Sequence, residues 1–301
     1  MLRWVTDVSR GDWLAPRLGP FGGWVGSVVP RGYEAYARVL HRVDAGGEEW
    51  LRWADVAAAT GAVLHPAAQW WRVARLPEPY ASSALAAHGE PWPDWYDPVL
   101  HAHARRGEPG EWLGNGPRMG RLDPVQLAAV VDVLRGFADP DAVTVAFWEG
   151  SSWQGGTPLV MWAPARRRHR HVPLLRRRVA RRALPSLDVD PDLDPEVLSG
   201  PRLELPGRDH VLFAGSLRDV AALADATATA DVTPFRPDGR TPSLLWPDDR
   251  SWCLATEVDF DSTLVGGPRT LIDAILADPA LEAFEVGEDD SLMHDGDAVN
   301  R

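Results

Sequence analysis

Carboxylates dominate the stretch of this sequence whose residue types and spacing could do chemistry. Within residues 241–267, Glu257, Asp259 and Asp261 recur at every second position. If residues 251–261 form a strand, alternate side chains share a face, which puts neighbouring carboxylates about 6–7 Å apart. Carboxylates that close repel one another and need water, arginine or a cation beside them. Such an oxygen-rich cluster suits a divalent cation, namely Mg²⁺, Mn²⁺ or Ca²⁺.

This candidate acidic site extends to Asp248 and Asp249 if the preceding turn folds back onto the strand. Three interpretations stay open. The acidic residues could form a solvated sheet surface, they could be neutralised by Arg250 or by arginines of residues 166–182, or they could form a metal or catalytic site. Cys253 shares the acidic face, where carboxylates should raise the pKa of its thiol and make it a poor nucleophile. The opposite face of the strand is predicted to be core. Its residues are Trp252, Leu254, Thr256, Val258 and Phe260.

An arginine run provides a second candidate site. Residues 166–182 contain nine Arg and two His, and five carboxylates follow between residues 188 and 196. Arginine suits bidentate phosphate contact, but no aromatic residues interleave the run to stack on bases. An acid-paired or solvated surface and a partner or nucleic-acid contact therefore stay open, and residues 164–201 are predicted to be a charged insertion. The candidate basic contact comprises Arg166, Arg167, Arg168, Arg170, Arg176, Arg177 and Arg178.

Other constellations are weaker. His101 with His103, and His169 with His171, could each chelate a transition metal from one face of a strand. No carboxylate stands at a recognisable ligand spacing from them, so solvated histidines are the alternative. Glu149 follows a predicted strand and is a candidate general acid or base, with a structural carboxylate as the alternative.

The composition excludes several classes of protein. The 301-residue chain carries a net charge of −12 and contains no lysine, so all 31 basic residues are arginine. A phosphate loop of the Walker-A type, a Schiff-base enzyme and a protein kinase each need a lysine. The negative charge argues against nucleic-acid binding by the whole surface. One cysteine precludes an intramolecular disulfide, and no apolar run suits a signal peptide or a membrane span, so we expect a cytoplasmic protein.

The helices and strands predicted from the sequence must position these residues. Their order along the chain predicts an α+β fold with a mainly antiparallel sheet, packed helices and long Pro/Gly-rich loops. One globular unit is expected over residues 1–301, divisible into a helical and loop-rich part, 1–122, and a sheet-containing part, 123–301. Helices are predicted over residues 48–60, from Asp123-Pro124 to near Gly136, over 216–228 and over 269–277. Strands are predicted over residues 142–148, 157–163, 203–205 and 210–213.

Two predictions concern the ends of the chain. Tyr33, Tyr36 and Leu40 recur at helical spacing, which predicts a helix after Pro30 and a short strand before it over residues 26–29. Residues 287–301 are acidic and polar, which predicts a frayed segment.

Three segments together carry a resemblance. They run from Val28 to His41, from Phe147 to Gly150, and from Leu245 to Asp259 with Gly266-Gly267 beyond. These segments resemble a family of uncharacterised actinobacterial proteins, although residues 166–196 depart from its pattern. The resemblance implies a bacterial cytoplasmic protein and implies no catalytic residue, because the family has no established activity.

The function predicted from these observations is the binding of a protein or a small ligand, without catalysis. The 15 Trp residues favour it and predict an exposed Trp-rich patch. The first alternative is a divalent-metal-dependent enzyme that uses Glu257, Asp259 and Asp261. The second alternative is nucleic-acid contact through residues 166–182.

Overall fold

The computed structural model describes residues 2–44, 50–75, 116–150, 195–224 and 241–300. These residues form an α+β fold, as the sequence predicts. Nine of the described strands build one sheet, and every pair in it is antiparallel. The strands are β1 (Arg3–Val5), β2 (Ala35–Leu40), β3 (Val43–Asp44), β4 (Trp50–Leu51), β5 (Val143–Trp148), β6 (Leu203–Leu205), β7 (Arg208–Gly215), β8 (Leu244–Pro247), β9 (Cys253–Thr256), β10 (Ser262–Gly267) and β11 (Ala283–Val286).

The sheet has the order β1-β7-β5-β8-β9-β10-β2-β11, with β6 also paired to β7, while β3 and β4 form a separate two-stranded ribbon. The described helices are α1 (Val25–Val28), α2 (Trp53–Thr60), α3 (Trp70–Val73), α4 (Pro124–Leu134), α5 (Pro195–Ser199), α6 (Leu217–Ala221) and α7 (Arg269–Ala277). Short 3₁₀ turns occupy Val8–Gly11, Ala15–Arg17 and Ala222–Ala224. None of the described helices is long and apolar enough to cross a membrane.

Both faces of the sheet are covered. Helices α4, α6 and α7 pack on one face, against side chains such as Val145 and Phe213. The N-terminal segment, residues 8–29, packs on the other face, against side chains such as Leu212 and Trp246. A strand with both faces covered can be apolar at every position, because neither side of its pleat meets water. All six residues of β2 and all six of β10 are accordingly buried.

A third cluster joins α2 and α3 to the end of β2 through Leu40, Val43 and Trp53. Arg38 ties this cluster to the sheet and is almost wholly buried. Its guanidinium donates to the carbonyls of Pro66 and Ala68 at 2.9 and 2.8 Å. Its Nε and Nη2 donate to Oγ of Ser262 and to the carboxylate of Asp261, and these four hydrogen bonds offset the cost of burying the charge.

Helix α4 and the hairpin β6–β7 confirm predictions that rest on local signals. Asp123 caps α4, since its Oδ1 accepts hydrogen bonds from the amides of Val125 and Gln126. Gly61 ends α2 with φ of 75°, the left-handed conformation that glycine adopts at helix ends. The strand predicted over residues 142–148 and the helix over 269–277 are also present as β5 and α7.

The predicted helix after Pro30 is wrong, because Ala35–Leu40 forms the strand β2, which lies between β10 and the edge strand β11. A strand covered on both faces shows no polar alternation, so its apolar residues fall at helical spacing by coincidence. The short strand predicted over residues 26–29 is wrong as well, since Val25–Val28 forms α1.

Helix and strand ends differ from the predictions in several places. Helix α2 begins at Trp53 rather than residue 48, because Trp50 and Leu51 pair with β3 as β4. Helix α6 and its 3₁₀ turn reach Ala224, and the rest of the predicted helix lies outside the described residues. The strand predicted over residues 157–163 also lies outside them. The expected fraying of residues 287–301 is wrong over 287–300, where Asp297 is buried.

Candidate functional site

The predicted acidic strand ends before its carboxylates. Strand β9 stops at Thr256, and residues 257–261 form the loop that turns the chain back into β10. The amide of Phe260 donates to the carbonyl of Glu257 at 3.0 Å within this loop. Strand alternation therefore does not apply to the three carboxylates, and the prediction that they share one strand face is wrong. The part predicted to be core is confirmed for Trp252, Leu254 and Thr256, which are buried.

The five predicted acidic residues divide among different partners. Glu257 and Asp259 both bind Arg208, whereas Asp261 accepts from Nη2 of Arg38 at 3.0 Å. Asp248 forms an exposed ion pair with Arg10 at 3.4 Å. Asp249 accepts from the amide of Ser251 at 2.9 Å and so shapes the turn after β8. Only Glu257 and Asp259 are brought together by a common partner among the described residues.

Arg208 is the centre of the site that the structure does assemble. It opens β7, where two-residue periodicity puts its side chain on the same sheet face as His210 and Leu212. Its Nε donates to Oε2 of Glu257 at 2.9 Å, and its Nη2 donates to Oε1 of Glu257 and to Oδ2 of Asp259, the latter at 2.7 Å. Burial alone would lower the pKa of Arg208, but these carboxylates outweigh it and raise the pKa.

Two aromatic rings enclose this guanidinium. The central carbon of the Arg208 guanidinium lies 4.3 Å from the ring centroid of Trp148 and 5.4 Å from that of Phe21. Both distances are within the range of cation–π attraction. Trp148 comes from the end of β5, Phe21 from the N-terminal segment and Glu257 from the β9–β10 loop, so three separate parts of the chain build the site.

A cleft opens beside Arg208, between the N-terminal segment and the ends of β5, β7 and β9. The cavity itself has a volume of about 40 Å³, and an adjoining, more open depression that shares Trp148, Leu205 and Arg208 with it has a volume of about 310 Å³. Its walls are mostly apolar, with a few polar side chains among them. The lining includes Leu18, Phe21, Val28, Trp148, Leu205, Arg208, His210, Leu244 and Glu257, and we call it the Arg208 cleft.

His210 is the most unusual polar group of the Arg208 cleft. Its side chain is 5% exposed, and its Nδ1 has no hydrogen-bond partner among the described residues. Burial and, to a smaller extent, the charge of Arg208 together lower the pKa of His210 to about 4, although a hydrogen bond with the backbone of Arg208 acts in the opposite direction. The imidazole is therefore neutral at physiological pH. A buried nitrogen without a partner costs stability, so its presence here calls for an explanation.

A second buried polar group, at the β2–β10 junction, is fully connected instead. His41 is buried, and its Nδ1 lies 2.8 Å from the carbonyl oxygen of Arg118. Its Nε2 lies 2.9 Å from Oγ1 of Thr263, which lies 2.8 Å from Oγ1 of Thr256. Burial lowers the pKa of His41 to about 3. Each of these groups has a partner, so the chain of hydrogen bonds is complete without a ligand.

The structure also places the remaining candidates. Among residues 2–44, 50–75, 116–150, 195–224 and 241–300, no group of three or more His, Cys, Asp or Glu could hold a metal ion. Glu149 pairs with Arg202 at 3.2 Å. Cys253 is buried, and burial rather than nearby carboxylate raises the pKa of its thiol. The two histidine pairs and Arg166, Arg167, Arg168, Arg170, Arg176, Arg177 and Arg178 lie outside the described residues.

Sequence reasoning missed Arg208, His210, Trp148 and Phe21 as site residues. One local signal was present, because Arg208 precedes His210, the first residue of the strand predicted over 210–213, by two positions, and polar residues at that spacing share a face of an extended chain. Phe21 gives no such signal. It reaches the site only because the N-terminal segment crosses the sheet, which is a long-range contact.

Comparison with protein-family models, with curated proteins and with solved structures finds no match to this chain. The resemblance to actinobacterial proteins therefore stays a prediction. The chemistry of the site must be argued from its own geometry.

Proposed function

We propose that this protein is a ligand-binding module without catalysis, and that the Arg208 cleft is its binding site. The observation that carries the proposal is the buried imidazole of His210, which lines the cleft and whose Nδ1 has no hydrogen-bond partner among the described residues. A ligand with one matching polar group would satisfy this nitrogen and remove the cost of its burial. The apolar walls would bury the rest of such a ligand.

The Trp residues support a cleft rather than a broad binding surface. Among the described Trp residues, only Trp24 is exposed, at 48%, while Trp53, Trp246 and Trp252 are fully buried. The exposed Trp-rich patch expected from the sequence is therefore not found in the described part of the chain. Trp148 is half-buried and lines the cleft, which suits contact with a small ligand.

The two alternatives draw less support. A divalent-metal-dependent enzyme would need Glu257, Asp259 and Asp261 to converge, but Arg208 binds the first two and Arg38 binds the third. Nucleic-acid contact would depend on residues 166–182, which lie outside the described residues. A bacterial cytoplasmic location remains part of the proposal, since a single buried thiol suits a reducing compartment.

A fragment screen by saturation-transfer NMR tests the proposal. We expect small polar aromatic fragments to bind the wild-type protein and to lose at least about tenfold in affinity in His210→Phe, which keeps an aromatic ring but removes Nδ1. The control is Val125→Ala, an exposed position on α4 at the opposite face of the sheet. The proposal is wrong if no fragment binds, or if the same fragments bind His210→Phe as tightly as they bind the control.

A further inference from the structure

We propose that the Arg208 cleft selects an organic cation, meaning a small ligand that joins a protonated amine or an amidinium to an apolar body. This inference rests on the proposed function, because it assigns a ligand class to the same site. It is carried by the charges beside the cleft, by the neutral imidazole of His210 and by the aromatic walls.

The charges beside the cleft sum to a negative value. Glu257 and Asp259 share the single positive charge of Arg208, so this group of three side chains carries one net negative charge. Asp209, exposed, stands at the adjoining opening, where Glu149 is offset by Arg202. The whole chain, these residues included, carries a net charge of −12. A cation is therefore attracted and an anion repelled, both during approach and in the bound state.

His210 offers an acceptor to such a cation. The neutral imidazole has one nitrogen that carries hydrogen and one that has a lone pair. His210 lines the cleft, and its Nδ1 has no partner among the described residues, so as the lone-pair nitrogen Nδ1 could accept from an ammonium or amidinium N–H. Because the site is buried, a hydrogen bond with a charged donor is stronger there than in water.

The aromatic walls already bind a cation of the same kind. Arg208 lies over Trp148 and Phe21, and Glu257 binds it side-on through two nitrogens. Phe21 nevertheless stays 57% exposed, so part of its surface remains available to a second group. Asp259 has a side chain that is 64% exposed, and it accepts from Arg208 through its Oδ2. An incoming cation would therefore meet a ring and a carboxylate oxygen together.

Three probes of nearly identical shape separate the charge classes: benzamidinium, benzamide and benzoate. In isothermal titration calorimetry at low ionic strength, we expect benzamidinium to bind at least about tenfold more tightly than benzamide, and benzoate to bind most weakly. The affinity of benzamidinium should fall as salt is added, because salt screens the attraction between exposed charges. The affinity of benzamide should stay nearly constant.

Two matched variants locate the effect. Asp259→Asn removes a carboxylate that is 64% exposed and bound to arginine at 2.7 Å. Asp132→Asn removes one that is 68% exposed and bound to arginine at 2.9 Å, on α4 at the opposite face. Both change the net charge equally. We expect Asp259→Asn to lower the affinity for benzamidinium several-fold and to leave the affinity for benzamide unchanged. Asp132→Asn should change neither affinity.

The outcomes separate this inference from the proposed function. If benzamide or benzoate binds as tightly as benzamidinium or more tightly, the inference of cation selectivity is wrong, but the cleft is still a binding site. An equal loss in both aspartate variants also overturns it, because the effect would then come from net charge alone. If none of the three probes binds and the fragment screen is empty as well, both proposals fail.

Discussion

His41 shows how a single buried side chain can be fixed in one tautomer. A carbonyl oxygen can only accept, so the contact with Arg118 puts the hydrogen of the imidazole on Nδ1. Nε2 must then accept from the hydroxyl of Thr263, and Thr263 in turn accepts from Thr256. Protonation of Nε2 would require both threonine hydroxyls to reverse their hydrogen bonds, and it would put a charge in a fully buried position near Arg38. The network thus holds His41 neutral, in agreement with its lowered pKa.

Acid should therefore destabilise the protein through His41. The pKa of His41 is about 3 in the folded state, against 6.5 for the model group, so below pH 6.5 the unfolded chain takes up a proton that the folded chain refuses. The free energy of unfolding should fall by about 1.4 kcal/mol per pH unit from this group, down to its folded pKa. His41→Gln should lower stability at pH 7 but flatten the slope between about pH 6 and 4.5. Urea unfolding across that range measures both, and an unchanged slope would contradict the prediction.

Helix α2 shows how an element can depend on a residue far away in sequence. Both carboxylate oxygens of Glu282 accept from its first amides, those of Trp53 at 2.7 Å and Ala54 at 2.9 Å. These amides have no partner within the helix, and the negative charge also favours the helix N-terminus. Glu282 precedes the edge strand β11, so this contact attaches the helix to the sheet.

We expect Glu282→Ala to lower the free energy of unfolding by about 1–2 kcal/mol, as the loss of a helix cap does. The matched control is Glu285→Ala, three residues further on, which breaks an exposed ion pair with Arg269. That change should cost less than about 1 kcal/mol, because exposed ion pairs contribute little. Chemical denaturation of both variants gives the comparison, and equal losses would show that Glu282 does not act as a cap.

Elements with signals of their own are the ones that the sequence predicts well. Asp123-Pro124 predicts the start of α4, because an N-cap acceptor followed by proline is a signal that depends only on adjacent residues. The prediction is wrong at strand β2, because the burial of both its faces depends on the N-terminal segment and on the helices, which are distant in sequence. The predicted end of strand β9 is also wrong, since a turn without glycine or proline follows Thr256 where the strand was expected to continue.

The candidate site follows the same rule. Glu257 and Asp259 could be selected from the sequence as charged residues that need a partner, and they do have one. Which arginine they bind could not be selected, because Arg208 comes from a strand about 50 residues earlier and is placed by the sheet order. Asp261 lies two residues from Asp259 yet faces Arg38, since a turn, unlike a strand, does not keep alternate side chains on one face.

At the scale of the whole molecule, the C-terminal segment fastens separate parts together. The amide of Leu292 donates to the carbonyl of Gly23 in the N-terminal segment at 2.7 Å. Asp297, whose side chain is fully buried, accepts from Nε2 of His65 at 2.8 Å and from the amide of Gln69 at 3.2 Å. The segment therefore joins the cover of the sheet to the cluster around α2 and α3.

Asp297→Ala should loosen that junction. Burial alone would raise the pKa of Asp297, but hydrogen bonds from Asn300, His65 and Gln69 outweigh it and lower the pKa to about 2. The stabilisation is present above the unfolded pKa near 3.8 and disappears as the pH falls through about 2. It amounts to about 2 kcal/mol at pH 7. Hydrogen exchange should quicken in residues 63–75 and 291–300 of the variant and leave β5 and β7 protected, whereas uniform quickening would contradict a local role.

Strand β2 also constrains the order of events during synthesis. It lies between β10 and β11, and its partners in β10 come roughly 220 residues later in the chain. At about 5–20 residues per second, a ribosome needs about 10–45 s to deliver them. During that interval the apolar residues of β2 have no strand to pair with, and pairing across so long a separation is itself slow. We therefore expect β2 to stay unpaired until β10 emerges, and a chaperone or the cluster around α2 and α3 to cover it during that interval.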